Sequence, residues 1–151
     1  MDYMTVDGTC YNVKTDPQQN RVYAWELAHV APIDTNKITI EVAEQIVAYV
    51  WAEEGLSHPP KVEFINDKRG NRSATGCRLK LRFPAGLLYS WVVLHELAHA
   101  MTSNVDGASN GHGAWYMQVY TNLLNKYAGM DLLMMYHTAA QMNVKIKGVN
   151  G

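Results

Sequence analysis

The stretch WVVLHELAHAM, residues 91–101, carries two histidines and a glutamate in the order H-E-x-x-H within an apolar segment. Positions four apart lie on one face of an α-helix, so His95 and His99 can present two imidazole nitrogens to a single ion. Glu96 follows the first histidine and can reach a water molecule bound to that ion. The alternative is an apolar helix with two structural histidines and a surface glutamate. Because chance seldom produces this spacing, we predict a metal site with Glu96 beside it.

A metal site of this kind needs a third protein ligand, and the residues after the motif exclude two arrangements. No glutamate follows Glu96 in the chain, which excludes a site completed by a downstream glutamate. The longer pattern H-E-x-x-H-x-x-G-x-x-H also fails, because Thr102 and Val105 stand where that pattern requires glycine and histidine. The third ligand must therefore be of another type or come from a later position.

Two candidates for the third ligand lie close behind the motif, Asp106 in NVDG and His112 in NGHGAW. We favour His112, because Gly111 and Gly113 permit close backbone approach and because imidazole is the commoner third ligand beside two other imidazoles. Asp106 remains the alternative. His137 is a more distant candidate, for which a position on a packed helix is the better interpretation.

The chain has 151 residues, of which 48% are hydrophobic and 18% charged, a composition typical of a single globular domain spanning residues 1–151. Its two cysteines, Cys10 and Cys77, form no C-x-x-C pair, which excludes a cysteine-based zinc ribbon. We expect both to be free thiols in a reducing compartment, with one disulfide between them as the alternative. The N-terminal residues include acids where a signal peptide needs a basic patch, and the longest apolar run is too polar to cross a bilayer. We therefore expect a cytoplasmic protein.

Basic residues cluster between positions 68 and 82, where the chain has no acid although its net charge is −1. They are Lys68, Arg69, Arg72, Arg78, Lys80 and Arg82. We interpret this cluster as the solvated outer face of a hairpin. The alternative interpretation is a nucleic-acid binding surface, because clustered cations contact phosphates.

Capping signals and hydrophobic periodicity predict two helices before the motif. The first begins near Asp16, a candidate N-cap, has Pro17 at its first helical position, and ends at Pro32. The second begins at Thr39, a second candidate N-cap, and ends at Gly55.

Two strands are predicted at 61–67 and 76–84, joined by a long hairpin loop. The motif helix follows at 87–102, and two C-terminal helices separate near Gly129. The predicted class is α+β, with N-terminal helices, a small mostly antiparallel sheet, the H-E-x-x-H helix and C-terminal helices. Several large apolar residues are predicted to lie in the core: Trp25, Trp51, Trp91, Met130, Met134 and Met135.

The segment HELAHA, followed after a short polar loop by HGAWY, resembles the SprT-like zinc metallopeptidases, whose third ligand lies in an H-G-x-x-aromatic motif. The chain is still more similar to a group of small metallohydrolases encoded in actinobacterial and bacteriophage genomes. In that group a helix with the pattern D-x-Q-x-x-R-V-Y-x-x-E precedes the metal motif; here it reads DPQQNRVYAWE, residues 16–26. The likeness extends over residues 16–144.

This resemblance implies a zincin-like fold with Zn²⁺ bound by His95, His99 and His112, and with Glu96 as the catalytic acid and base. It also places Tyr116 beneath the ligand loop as a packing residue. Ala114 and Trp115 depart from the Pro and Glu found after the H-G pair in many SprT-like proteins. The zinc ribbon and basic tails of the DNA-associated members are absent from this sequence, which argues against their DNA–protein crosslink substrate.

The expected function is that of a zinc-dependent metallopeptidase with a peptide or protein substrate and no membrane partner. A substrate strand is expected to pair with a free sheet edge formed by CRLKLRF, residues 77–83. Tyr120, Tyr136 and His137 are candidates for stabilising the oxyanion. Manganese or another divalent ion is an alternative to zinc, because three imidazoles do not select zinc uniquely.

The rival hypothesis is a non-catalytic binding module. Its zinc would be structural, and its basic 68–82 segment would contact a protein or nucleic-acid partner. A structural zinc site usually has four protein ligands, so the number of ligands distinguishes the two hypotheses.

Overall fold

The computed structural model describes residues 12–13, 16–65, 74–84, 88–104, 108–109 and 111–149. Within those ranges the chain forms five helices and five short strands, and the α+β class is confirmed. The helices are α1 (Gln19–His29), α2 (Ile40–Glu53), α3 (Ser90–Thr102), α4 (Ala114–Ala128) and α5 (Leu132–Gln141). The strands are β1 (Asn12–Val13), β2 (Lys61–Ile65), β3 (Thr75–Gly76), β4 (Lys80–Pro84) and β5 (Ala108–Ser109).

The two N-terminal helices differ in how well their starts were predicted. Thr39 caps α2 as expected, since its hydroxyl accepts the Val42 N–H at 3.2 Å, and Gly55 follows the helix with a φ of +72°. Asp16 does not cap α1. The Asp16 carboxylate is bound to the His112 imidazole instead, and the N-cap is Gln18, whose side chain binds His112 and Lys145 and makes no cap bond.

The three-stranded sheet has the order β2-β4-β3 and is mixed, so the predicted hairpin between the two long strands and the predicted mostly antiparallel sheet are both wrong. Lys61–Ile65 pairs with Lys80–Pro84 in parallel, whereas the antiparallel pairing is confined to β3 and β4. The reason is a tight turn after Gly76, closed by a 3.0 Å bond from the Cys77 N–H to the Lys80 carbonyl. That turn reverses the chain inside the segment predicted as one continuous strand, 76–84, so that β4 runs parallel to β2. A second, two-stranded parallel sheet joins β1 to β5.

Helix α3 lies at the centre of the fold and packs against α2, α4, β3 and β4. All residues from Val93 to Ala100 are buried, so even the polar side chains of this helix are enclosed. Most of the predicted core residues are buried, namely Trp25, Trp51, Met130 and Met135, whereas Trp91 and Met134 are half-buried. A helix enclosed on every side can carry charged groups only where other groups compensate them.

The described part of the basic segment is balanced by neighbouring groups. Glu63 on β2 lies 3.5 Å from the Lys80 amine and 3.4 Å from the Arg82 guanidinium, both on the adjacent strand. The Arg78 guanidinium lies 4.9 Å from the centre of the Trp51 ring. The remaining basic residues, Lys68, Arg69 and Arg72, lie outside the described residues.

Cys77 corrects one expectation, because it is disulfide-bonded rather than a free thiol. Disulfides persist mainly in oxidising environments, so this bond counts against a reducing compartment. Cys10 lies outside the described residues. Among the helices that are described, none combines the length and the apolar character needed to cross a bilayer.

Helix α1 is held against the C-terminal region by buried hydrogen bonds. The Trp25 indole N–H donates to the Thr138 hydroxyl of α5 at 2.9 Å. The Gln18 side chain accepts the Lys145 N–H at 2.9 Å and donates to the Lys145 carbonyl at 3.1 Å. These bonds set the position of α1 relative to the rest of the fold.

We predict that Thr138→Val lowers the free energy of unfolding by about 1–3 kcal/mol, because the buried Trp25 N–H then has no acceptor. Thr138→Ser keeps the hydroxyl and should retain most of the stability. Urea denaturation followed by tryptophan fluorescence measures both variants. Equal stability of the valine variant and the unaltered chain would show that this bond contributes nothing.

Candidate metal centre

Three buried histidines converge from two parts of the chain. Helix α3 supplies His95 and His99 one turn apart, and the loop before α4 supplies His112. The Nε2 atom of His112 lies 3.0 Å from that of His99 and 3.2 Å from that of His95. The three residues therefore lie close enough to bind one metal ion. Asp106, the alternative third ligand, lies outside the described residues, and His137 is exposed on α5.

The spacing of these nitrogens suits a small divalent cation. A tetrahedral zinc ion with Zn–N bonds of roughly 2.0–2.1 Å separates its ligand nitrogens by about 3.3 Å. The observed separations of 3.0 and 3.2 Å differ little from that value. Small rotations of the imidazole rings would accommodate the ion.

Carboxylates fix the tautomers of two of the rings. The Nδ1 atom of His95 lies 2.5 Å from Glu26 Oε2, and the Nδ1 atom of His112 lies 2.8 Å from Asp16 Oδ2. A carboxylate accepts hydrogen bonds, so each Nδ1 carries the hydrogen and each neutral ring directs the lone pair of Nε2 inward. Two such lone pairs 3.2 Å apart repel each other unless a cation, or a proton in its place, lies between them. The donor set thus fits a bound metal ion.

Asp16 also fixes the backbone of the ligand loop. Its Oδ1 accepts the His112 N–H at 3.0 Å, while the Gln18 side chain donates to the His112 carbonyl at 2.8 Å. Gly111 has a φ of +59°, and a Cβ there would lie 2.4 Å from Asp16 Oδ2. The predicted need for glycine beside the third histidine is explained by this close approach.

No functional role was predicted for Glu26 from the sequence. It is 3% exposed on α1, and its Oε2 accepts the Tyr120 hydroxyl at 2.6 Å as well as the His95 ring. The sequence did contain an indication that Glu26 is buried, because it shares one face of α1 with Val22 and Trp25. A carboxylate on an apolar helix face needs a buried partner. The D-x-Q-x-x-R-V-Y-x-x-E pattern contained Asp16, Gln18 and Glu26 but did not show what they touch.

Tyr116 packs against the histidine cluster. Its ring stacks on that of His99 with the centroids 4.4 Å apart, and its hydroxyl donates to the His95 carbonyl at 2.9 Å. The residue is 2% exposed. It therefore supports both helix-borne histidines from the side of α4.

Glu96 is 5% exposed, and its Oε2 lies 4.0 Å from the Nε2 atom of His95. It lines a cleft of about 340 Å³ together with His95 and Glu26. Gly76 on β3 packs against it so closely that a Cβ there would lie 3.0 Å from Glu96 Oε1 and 2.7 Å from the Glu96 carbonyl. The carboxylate is thus held between the sheet and the inward-facing nitrogens.

Burial and mutual charge perturb the titration of the cluster. Burial is the main reason why the pKa of the Glu96 carboxyl is raised to about 7. The charge of His95 lowers this pKa, and the charge of Glu26 raises it. Burial alone lowers the pKa of His95, but the Glu26 and Glu96 carboxylates outweigh that effect and raise it to about 9. Burial holds the pKa of His99 well below its usual value. Perturbations of this kind concentrate at functional sites.

We predict that Asp16→Asn weakens zinc binding by about 10–100-fold, because an amide cannot accept from both the N–H and the Nδ1–H of His112. Competition against a chromophoric chelator measures the affinity. Asp131→Asn is the matched control, since Asp131 caps α5 away from the histidines and asparagine caps equally well. Unchanged affinity in the Asp16 variant would show that this carboxylate does not position the ligand.

Comparisons with protein-family models, with curated proteins and with solved structures each give no match for this chain. The resemblance to SprT-like peptidases therefore stays a prediction that rests on the quoted motifs. What the structure adds is a cluster of three histidines close enough together to bind a metal ion.

Proposed function

We propose that this protein is a zinc-dependent hydrolase that cleaves peptide bonds. The observation that carries the proposal is the convergence of the His95, His99 and His112 Nε2 atoms beside a buried glutamate that opens onto a cleft. In such sites three protein ligands leave one position for water or substrate. Zinc bound there would polarise the scissile carbonyl and lower the pKa of a water molecule towards about 7.

Glu96 is the proposed general base and acid. Its carboxylate lies 4.0 Å from a ligand nitrogen, within reach of a water molecule held at the same centre. Glu96 would accept a proton from the attacking water, and it would return that proton to the amine as the C–N bond breaks.

An extended substrate is proposed to lie along β3 rather than along CRLKLRF. That predicted edge, residues 77–83, falls mostly on β4, whose two sides are already occupied by β2 and β3. Strand β3 lies at the border of the sheet, and its Gly76 touches Glu96. Thr75 Oγ1 is buried and has no hydrogen-bond partner within the described part of the chain. A peptide strand added to β3 would therefore pass the proposed base and supply polar partners.

The oxyanion requires a donor, and Tyr23 is better placed than the three candidates from the sequence. Tyr120 donates to Glu26 in the interior, Tyr136 packs on the core from α5, and His137 is exposed on α5. Tyr23 lines the cleft with Glu96, and its ring centre lies 5.0 Å from that of His112. Its hydroxyl accepts the Gln19 amide at 3.0 Å, which leaves the O–H to donate.

The rival binding module has less support. The part of the chain that the structure describes supplies three ligands to the cluster, one fewer than a closed structural zinc site uses. The described basic residues Lys80 and Arg82 are paired with Glu63. Both observations favour the hydrolase over a zinc-stabilised nucleic-acid module.

We predict that Glu96→Gln keeps near-stoichiometric zinc but abolishes hydrolysis of fluorescein-labelled casein, because the amide cannot accept the proton. His112→Ala should instead lose zinc, because one of the three nitrogens is removed. Elemental analysis and the rate of fluorescence release measure the two effects separately. Activity that survives in the Glu96 variant would exclude this residue as the base.

We also predict that Gly76→Ala lowers kcat at least tenfold while zinc content stays unchanged. The added methyl group would lie 2.7 Å from the Glu96 carbonyl oxygen and 3.0 Å from Oε1, so it would displace Glu96, whereas its three nearest atoms all belong to Glu96 and to none of the histidines. Casein hydrolysis and elemental analysis of the same sample test the separation. Wild-type kcat in this variant would show that the position of Glu96 is not critical.

A further inference from the structure

The cleft beside Glu96 has apolar walls from three parts of the fold. Tyr23 and Leu27 contribute from α1, Ala74 from the residue before β3, and Trp91 and Val92 from α3. Leu27 is 70% exposed and Tyr23 is 40% exposed, so this apolar surface is open to solvent. An exposed apolar concavity that adjoins reactive groups is typical of a ligand subsite.

The apolar walls lie at a defined distance from the proposed chemistry. Trp91 and Val92 precede His95 and Glu96 by one turn of α3, which is about 5.4 Å along the helix axis. That is close to the separation between a carbonyl under attack and the side chain of the adjoining residue. A peptide with its carbonyl near Glu96 would therefore direct a neighbouring side chain onto this surface.

The charges in the cleft restrict which side chain fits. Of its lining residues, Glu26 and Glu96 are the acids, and the sole basic one is the proposed ligand His95. No lysine or arginine lines the cleft among the described residues. An acidic side chain in the cleft would lie beside the Glu26 and Glu96 carboxylates, and no lysine or arginine of this lining would offset the repulsion. The volume of about 340 Å³ is near the lower limit for ligand clefts and suits one large side chain with its peptide group.

We propose that this cleft is a specificity subsite for a large apolar side chain, such as leucine, methionine or phenylalanine, next to the bond that is cleaved. The proposal rests on the proposed function and names the substrate class of that site: peptides with an apolar residue beside the scissile bond. The apolar wall gains by removing such a side chain from water.

The test uses zinc-loaded protein and N-acetyl amino-acid hydroxamates, which bind zinc directly and need no turnover. Isothermal titration compares the leucine, phenylalanine, glycine and aspartate derivatives. We expect the leucine and phenylalanine compounds to bind at least tenfold more tightly than the glycine compound. The aspartate compound should bind more weakly than the glycine compound.

A matched pair of variants locates the effect. Leu27→Asp should reduce the preference for leucine over glycine about tenfold and leave the affinity for the glycine compound unchanged. Leu133→Asp is the control, because Leu133 is 74% exposed on α5 and lies outside the cleft. Trp91→Ala provides a second variant, since the backbone bond from its N–H to Asp34 does not depend on the side chain.

The outcomes distinguish a failure of the apolar subsite from a failure of the proposed hydrolase function. Equal binding of all four hydroxamates would overturn the apolar subsite while leaving the zinc centre intact. If no hydroxamate binds to protein that contains zinc, the proposed function fails and the subsite fails with it. A change of oligomeric state in Leu27→Asp with unchanged hydroxamate binding would assign the surface to a second copy of the chain and would also overturn it.

Discussion

Two carboxylate–imidazole bonds determine the geometry of the three-histidine cluster. Glu26 holds the Nδ1–H of His95, and Asp16 holds that of His112, so both Nε2 lone pairs face the same point. Without these bonds each ring could rotate or adopt the other tautomer, and the nitrogens would not converge. The first helix is thus part of the centre although it contributes no ligand. Its docking through Trp25 and Gln18 to the C-terminal region sets the precision of the ligand cluster.

Burial of these charged groups lowers the stability of the fold unless other groups compensate them. Two acids and three histidines are enclosed around the centre of a helix whose other neighbours are apolar. Charged groups at such depth are tolerated only where partners compensate them, because removal from water costs several kcal/mol for each ion. A divalent cation bound to the three histidines would compensate the carboxylates behind and beside them. Metal binding and folding stability are therefore expected to be coupled, as in other sites whose ligands converge only in the folded chain.

The sequence predicted features that short-range signals encode. The H-E-x-x-H spacing, the Thr39 cap and the loop that returns His112 to the motif all depend on residues close together in the chain. The sheet was predicted less well, because the turn after Gly76 decides its direction and the alternating apolar residues continue through that turn. Glu26 and Asp16 act across 69 and 96 positions, and no local pattern reports such a distance. A carboxylate on the buried face of α1 indicated only that a partner must exist.

The surroundings of Glu96 bear on the choice between the proposed hydrolase and a structural zinc site. Within the described residues, no protein group donates a hydrogen bond to this carboxylate, whereas Glu26 and Asp16 each accept two bonds. In a structural zinc site a buried acid without donors would lower stability and return nothing. In a hydrolase the same acid must be free to bind a water proton and must stay close to the metal ligands. The contrast between two carboxylates that each accept two hydrogen bonds and one that accepts none from the described residues supports the proposed hydrolase.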